Sequence, residues 1–598
     1  MTGVGASGTG IAALPSGAAG RTGVRNLLAA LAGMAFMLVF HIMQGFPTLD
    51  AFGGDNDSLL RLVEVRDLLA GQAWYDLTQY RMGPEGGFVM HWSRLVDAPI
   101  AFLVLVGTLL TGSQSSGEAF ALVAWPALLF AAALWLILTL ARRLGGEPAL
   151  LPALVVGGAA LHFLAIFAPG AIDHHNIQLV LTLAAAAALM RGGFAAGGAA
   201  GVASALMLGV GMEASPYVAV AGAVAAGLIL WGRESGRATA IGFGLAFALA
   251  SAATLVATVG PGAWTVVACD AFSGVHFMLA AVAGSGLAAL GHWLGRAPLH
   301  IRVGAMAALA AALVGLIVLL MPQCLADPYA ALDPRLKTYW LEQVTEAQSL
   351  PDIMKGAPLM AAGYYATPLI GLIIVALGLR QGARRETLVA GAFLAAAIAV
   401  SVWQVRGAIF SIPLAVAPLA AWIGVWRERA AVGGRHASLG MAAAWLVSVN
   451  AVWTGAANAL APERPTDRTA APAGVCQSGS DYAELAARPA ASVMAISNLG
   501  APILRFTPHR TLAGPYHRNI AGNLAALDAL MGAPDAARES MRRWGATLLA
   551  VCPGNDETTA IVEWAPTGLL ARVVAGDVPD WLRPLDTGAG ALRVYSIH

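Results

Sequence analysis

The stretch Pro148–Arg191, PALLPALVVGGAALHFLAIFAPGAIDHHNIQLVLTLAAAAALMR, decides how the chain is read. Two apolar runs, 148–170 and 175–190, flank three consecutive ionisable residues, Asp173, His174 and His175. Each run is close to the ~20 apolar residues that cross a bilayer as a helix. Ionisable groups cost free energy near a membrane, so three of them at a span end need a reason. Asp and His are both metal ligands, and Asp173 and His175, two apart in an extended turn, could share one cation. The alternative is a solvated loop with a capping Asp.

The same pattern continues outward in both directions. Apolar runs at about 26–44, 118–141, 194–212, 215–232, 239–260, 271–294, 303–321, 358–379, 387–404, 407–426 and 437–457 bring the expected spans to about thirteen. Only 12% of the 598 residues are charged and 58% are hydrophobic, against about 25% charged in soluble domains. Most of the surface therefore faces lipid or a packed helix. The 35 Lys and Arg balance 34 Asp and Glu, so no basic field points to nucleic acid. Residues 1–25, rich in Gly, Ser and Ala, read as a disordered cytoplasmic tail. The run 26–44 reads as an uncleaved first helix rather than a signal peptide.

Charge assigns the loops to sides. A shorter apolar run, 98–112, is short for a span, and counting it would invert everything after it. Treated as a re-entrant or interfacial segment, it leaves Arg21/Arg25, Arg142/Arg143, Arg191, Arg233/Arg237, Arg296/Arg302, Arg380/Arg384/Arg385 and Arg427/Arg429/Arg435 all cytoplasmic. The opposite side then collects Asp50, Asp55, Asp57, His91, Asp173, His174, His175, Glu213, Asp270, Glu342, Glu346 and Arg406, with all four cysteines. Cysteines on an oxidising face are compatible with disulfides. Of three possible pairings, Cys269–Cys324 with Cys476–Cys552 is the most economical, and free buried thiols are the alternative. The membrane region, 26–460, ends at a Pro/Ala/charged linker, Pro462–Pro472. The remainder, 461–598, reads as a small α/β domain outside the cytoplasm. Its expected strands are Ser492–Ser497, Ala546–Cys552 and Ala591–Ile597, and its expected helices Asn523–Met531 and Ala536–Trp544.

The outer loop 45–117 opens with Gly53-Gly54-Asp55-Asn56-Asp57. An Asp-x-Asp pair at a membrane surface suits a divalent cation, because hard cations prefer carboxylate oxygens. Alternatively Asp57 caps the amphipathic stretch Leu59–Leu69. The same loop carries Trp74-Tyr75-Asp76 and His91-Trp92-Ser93-Arg94, of a type that anchors proteins at the interface. Glu213, in Gly211–Pro216, sits between two spans with almost no loop, as a site residue or a structural cap. The outer loop 322–357 contains Val344-Thr345-Glu346. Arg406 stands at a span end among the acidic residues. Its fixed donor fork matches phosphate oxygens, and a pair with an outer carboxylate is the alternative. No Walker A, Gly-x-Ser-x-Gly, Cys-x-x-Cys or His-Glu-x-x-His sequence is present, so ATP-driven transport has no support.

In order and spacing these residues resemble the catalytic subunit of oligosaccharyltransferase, a GT-C class membrane glycosyltransferase, over about residues 26–426. Asp57, with Leu60-Arg61-Leu62-Val63-Glu64 downstream, matches the family's first acidic motif. Asp173-His174-His175 matches the second. Val344-Thr345-Glu346 is similar to the Ser-Val-Ser-Glu motif of the fifth outer loop, and Arg406 matches an arginine that serves the lipid-linked phosphate. The Trp-Trp-Asp-Tyr-Gly motif that reads an N-glycosylation sequon is absent, and Gly514–Asn519 stands in the tail domain instead. The resemblance implies about thirteen spans in a GT-C fold and transfer of a sugar from a polyprenyl-(pyro)phosphate donor to a protein, lipid or glycan acceptor. It implies Mg²⁺ or Mn²⁺ on Asp57, Asp173 and His175, with Asp55, His174 and Glu213 as further candidates. Glu346 would position the acceptor or take its proton, and Arg406 would meet the donor phosphate. A bacterial inner membrane with a periplasmic tail domain is the expected location. The rival readings are a transporter or flippase for polyprenyl-linked glycans, or a glycan polymerase of unrelated fold. Transporters place ionisable groups near the bilayer midplane and often show repeats; here the groups cluster at span ends and no repeat is visible.

Overall fold

The computed structural model describes residues 16–50, 55–326, 329, 332–356, 358–460, 476–586 and 590–598. The linker Pro462–Pro472, Gly53-Gly54 and the first fifteen residues lie outside the described residues. Every expected span falls on helical chain, because runs of Ala and Leu carry high helix propensity and an apolar segment in lipid must satisfy its backbone within itself. Ten helices among the described residues are long and apolar enough to cross a membrane, or eleven if the pair Arg435–Val447 and Asn450–Leu460, bent by 79°, is one span. Three expected spans are shorter helices, Leu150–Phe163, His175–Arg191 and Phe194–Val210. The first helix starts at Ser16, inside the stretch expected to be a disordered tail, so Arg21 and Arg25 are helical.

The segment 98–112 departs from expectation. It belongs to an 18-residue helix, Arg94–Thr111, itself long and apolar enough to cross. The extra turn is invisible to a hydropathy reading because Arg94 and Asp97 open it. The two are buried and pair at 3.1 Å. Residues near both ends of this helix meet the same outer-loop helix, Asn56–Leu69. Asp97 meets Arg61 at 2.9 Å, in the acidic region. At the other end Gly112, with φ 73°, turns the chain straight back, a conformation glycine adopts without strain. The returning helix, Gln114–Gly145, carries Glu118, which pairs with Arg66 at 2.8 Å and Arg505 of the C-terminal domain at 3.5 Å.

The arginines gather at the opposite end. Arg25 and Arg142 share Glu147. Arg384 donates to the Leu144 carbonyl at 3.1 Å and Arg427 to that of Pro148 at 3.2 Å. The charge sorting read from the sequence thus corresponds to two physical ends of one bundle.

The outer loop after the first helix holds the helix Asn56–Leu69 and a short ribbon, β1 (Thr78–Gln79) with β2 (Phe88–Val89). The C-terminal domain is a five-stranded mixed sheet of β3 (Ser492–Met494), β4 (Arg510–Thr511), β5 (Leu548–Val551), β6 (Leu582–Leu585) and β7 (Arg593–Ile597), in the order β4-β3-β5-β7-β6. Its two expected helices are present as Ile520–Met531 and Pro534–Arg543. The strands β4 and β6 escaped the sequence reading because one is two residues long and the other exposes Arg583 and Pro584 at its centre. All four residues of β5 are buried, which makes it the centre of the domain core.

Both economical disulfides are present. Cys269–Cys324 joins two loops of the membrane region and Cys476–Cys552 ties the start of the C-terminal domain to the end of β5. Denatured, unreduced protein will therefore take up no alkylating label, and four labels after reduction, as read by intact mass. Cys476→Ser/Cys552→Ser will lower the stability of the domain by about 3 kcal/mol, measurable as an earlier thermal transition.

Candidate active site

The site begins with a helix cap. Asp55, not Asp57, is the N-cap of Asn56–Leu69: its carboxylate accepts the Asp57 amide at 2.8 Å and the Ser58 hydroxyl at 2.8 Å. Capping by Asp55 releases Asp57, in the first turn, from the structural role the sequence allowed it. Ser58 then accepts the amides of Ile172 and Asp173 at 3.0 and 3.2 Å. That contact brings the second acidic motif onto the first.

Asp173 sits between both histidines and pairs with each of them. His174 turns its other nitrogen to Glu213, which lies on the tight turn Met212–Ala214. Glu213 is therefore part of the cluster rather than a distant cap. Burial would raise Asp173, yet the two adjacent histidines hold its carboxyl well below the usual range. Burial works against a charged His174, yet Asp173 and Glu213 push it up to about 10. The opposite holds at the helix cap. Burial, then the charges of Asp173 and Asp55, pushes Asp57 well above an ordinary carboxylate. Burial and Asp173 push Asp55 up to about 6. Several buried carboxylates that repel one another make a place where a cation is stabilised.

Glu346 lies on the turn Thr345–Ala347, exposed, and close enough that its charge raises both Asp55 and Asp57. The Val405 amide donates to the Gln348 carbonyl at 2.9 Å, which binds the Glu346 loop to the Arg406 turn. Arg406 donates from Nε to Gln404 at 2.8 Å. Among the described residues no carboxylate pairs with it, which leaves its terminal nitrogens available. All eight residues singled out in the sequence thus belong to one end of the bundle. Asp55, Asp57, Asp173, His174, His175 and Glu213 form its centre, and Glu346 and Arg406 its edge.

The donor set fits a divalent cation. Asp173, His174 and His175 bring ligand atoms within 4.8 Å of one another. His175 Nε2 is buried without a hydrogen-bond partner, a costly arrangement unless something is bound there. A second group, His91, Asp270 and His517, is as compact but is already engaged. Arg518 grips both oxygens of Asp270 at 2.6 and 2.7 Å, and His517 donates to one of them at 2.7 Å. This group latches the C-terminal domain to the loop held by Cys269–Cys324.

Sequence reasoning gave no role to the residues that hold the centre in place. Arg61 is fully buried. It contacts His174 Nδ1 at 3.3 Å, bonds Asp97 at 2.9 Å and lies 4.2 Å from the centre of the Trp92 ring. Tyr516 of the C-terminal domain donates to the Asn56 carbonyl at 3.1 Å and packs edge-on against Trp92. Their only signal in the sequence was charge or aromaticity in segments otherwise typical of a solvated helix, an interface anchor and a loop.

With this geometry in place, known proteins can be compared. No family model matches the chain, and no curated protein matches it in sequence. Solved structures do. The oligosaccharyltransferase of Archaeoglobus fulgidus in the apo form superposes with a TM-score of 0.65 at 14% identity, over 94% of this chain and 73% of that one. The chain shares the fold of that oligosaccharyltransferase. The same archaeal enzyme, AglB, in complex with an inhibitory peptide and a dolichol-phosphate gives 0.62 at 13% identity over 94% and 72%. Its complex with Zn and sulfate gives 0.60 at 13% over 92% and 70%. The expectation of a polytopic helical GT-C architecture with a small sheet domain holds.

Asp97 neutralises both Arg61 and Arg94, so Asp97→Ala leaves buried Arg94 without its carboxylate and buried Arg61 with only the longer pair to Asp173 at 4.0 Å. It will destabilise the protein by about 3–5 kcal/mol, measured by thermal unfolding in detergent against an exposed-charge control such as Asp352→Ala.

Proposed function

We propose that this protein is a membrane glycosyltransferase that moves a sugar or oligosaccharide from a polyprenyl-(pyro)phosphate donor to an acceptor at the acidic end of the bundle. The observation that carries the reading is the convergence of Asp57, Asp173, His174, His175 and Glu213, with Glu346 and Arg406 beside them on a GT-C fold. The likeness to a structure holding a dolichol-phosphate supports a lipid-linked donor, and the likeness to one holding Zn supports a divalent cation.

Asp57, Asp173 and His175 would hold Mg²⁺ or Mn²⁺, with Asp55, His174 and Glu213 fixing their orientation. The cation would supply Lewis-acid neutralisation of phosphate charge. Glu346 orients the acceptor nucleophile and takes its proton. As the new bond to the sugar C1 forms, the bond from C1 to the phosphate oxygen breaks, and its electrons leave with the phosphate. Arg406, whose terminal nitrogens have no partner among the described residues, meets that charge through a forked pair of hydrogen bonds. A donor held at the membrane surface keeps its prenyl chain in lipid while its sugar reaches this cluster. Two disulfides in the loops and domain at this end support an oxidising, extracytoplasmic location. A bacterial inner membrane with a periplasmic C-terminal domain fits that location.

Purified protein will consume a polyprenyl-linked sugar in a reaction that EDTA stops and Mg²⁺ or Mn²⁺ restores. Asp57→Ala and Asp173→Ala will each abolish turnover in protein that remains folded in detergent. Arg406→Ala will reduce it about 10²–10³-fold, as loss of one charge-stabilising donor does. Full activity in either aspartate variant would remove that residue from the site. Supplying lipid extract and sequon peptide together identifies the acceptor by which becomes labelled.

A further inference from the structure

The proposed transfer leaves the arginine-rich end of the bundle without a role, and that end contains a cavity. About 230 Å³ in volume, it is lined by Arg233, Arg237, Arg296 and Arg302 around a single carboxylate, Glu234. Glu234 accepts from Arg237 at 2.6 Å and from Arg296 at 3.4 Å. Arg302 donates to the carbonyls of Ile229 and Leu230 at 2.7 and 3.1 Å, at a helix C-terminus where a cation is favoured. Arg233 lies 5.3 Å from the Trp231 ring and has no carboxylate partner among the described residues. Four guanidinium groups thus surround one carboxylate.

Small residues keep the cavity open. Gly232 has φ +74°, and a Cβ there would approach an Arg302 terminal nitrogen at 3.1 Å. A Cβ on Gly295 would meet Arg237 Cδ at 2.7 Å. Like charges held together repel unless an anion joins them, and guanidinium forks match phosphate oxygens.

The surroundings specify where the anion comes from. The helix Leu299–Leu320, which carries Arg302 in its first turn, has no buried residue along its whole length. In a bilayer its apolar face lies against acyl chains. Trp293 is 75% exposed beside the cavity, and tryptophan concentrates at headgroup level. A soluble anion needs neither feature, whereas a lipid uses both.

We propose that this cavity binds the phosphate headgroup of an anionic phospholipid from the leaflet facing the arginine-rich end, with its acyl chains along Leu299–Leu320. The site is separate from the proposed donor site, which lies at the other end of the bundle.

The test is native mass spectrometry of the full chain titrated with phosphatidylglycerol or phosphatidylcholine. The variants are Arg233→Gln/Arg296→Gln and a control of equal charge loss outside the cavity, Arg429→Gln/Arg435→Gln, each checked for an unchanged unfolding temperature. Phosphatidylglycerol is expected to be retained over phosphatidylcholine. The cavity variant should weaken that binding about thirty-fold, the effect of removing two basic groups from an anionic headgroup, while the control stays near wild type. Equal retention of the two lipids, an unaffected cavity variant, or an equal loss in the control would overturn the proposal. Displacement of the lipid by inorganic phosphate at matched concentration would overturn it in favour of a soluble anion.

Discussion

Arg61 is the side chain on which the site depends. It lies fully inside the protein, where an unpaired guanidinium would cost several kcal/mol. Asp97 and, at 4.0 Å, Asp173 balance its charge, and Asp97, Trp92 and His174 pack around it. Each of those belongs to a different segment: the helix Arg94–Thr111, the end of the first outer loop, and the loop before His175–Arg191. Satisfying one buried charge therefore fixes three pieces of chain against Asn56–Leu69. The His174 ring beside it is held from both sides, Nδ1 by Asp173 and Nε2 by Glu213. Two carboxylates on opposite ring nitrogens favour the protonated imidazole and fix the placement of the central histidine.

The C-terminal domain completes this arrangement through a second set of ion pairs. Arg505 reaches Glu118, Arg518 reaches Asp270, and Tyr516 reaches the backbone beside Asp57. Arg81, in the outer loop, donates to the carbonyls of Thr507 and His509. The domain is thus a wall of the site rather than an appended module. The disulfide Cys269–Cys324 limits the freedom of the loop that presents Asp270. The small hydrophobic group of Leu60, Val63, Met82, Trp92, Leu504 and Tyr516, all buried together, excludes water along the same seam.

How much of this the sequence showed follows from the range of each interaction. The spans were legible because a helix in lipid satisfies its own backbone and needs only local apolarity. Asp57 and Asp173-His174-His175 were legible because ionisable residues at span ends stand out against that background. Arg61 was not: in SLLRLVEVRDLL its charge alternates with apolar residues as on any half-solvated helix. Its partner Asp97 opens an apolar run and reads as a boundary. The pairs joining the outer loops to the C-terminal domain span hundreds of residues, and no local period encodes them. Arg94 and Asp97 likewise hid the true length of their helix, since hydropathy counts two neutralising charges as two breaks.

The placement of polar groups along the helices bears on catalysis against transport. Asp55 is a cap, Asp57 lies in a first turn, Asp173 and His174 precede a helix, and Glu213, Glu346 and Arg406 occupy single turns. Each is set at a helix end or on a turn between helices. Within the helices, some buried hydroxyls turn back on their own backbone: Thr182 donates to the Gln178 carbonyl at 2.9 Å and Ser401 to that of Ala397 at 2.7 Å. Such groups are satisfied without a ligand and present nothing to a charged cargo. A path for a polyprenyl-linked glycan would need polar partners along the middle of the helices. The acidic and histidine side chains instead converge in one layer, where Asp173, His174, His175 and Glu213 meet and His175 Nε2 lacks a hydrogen-bond partner. That placement favours chemistry at a membrane surface over passage through it.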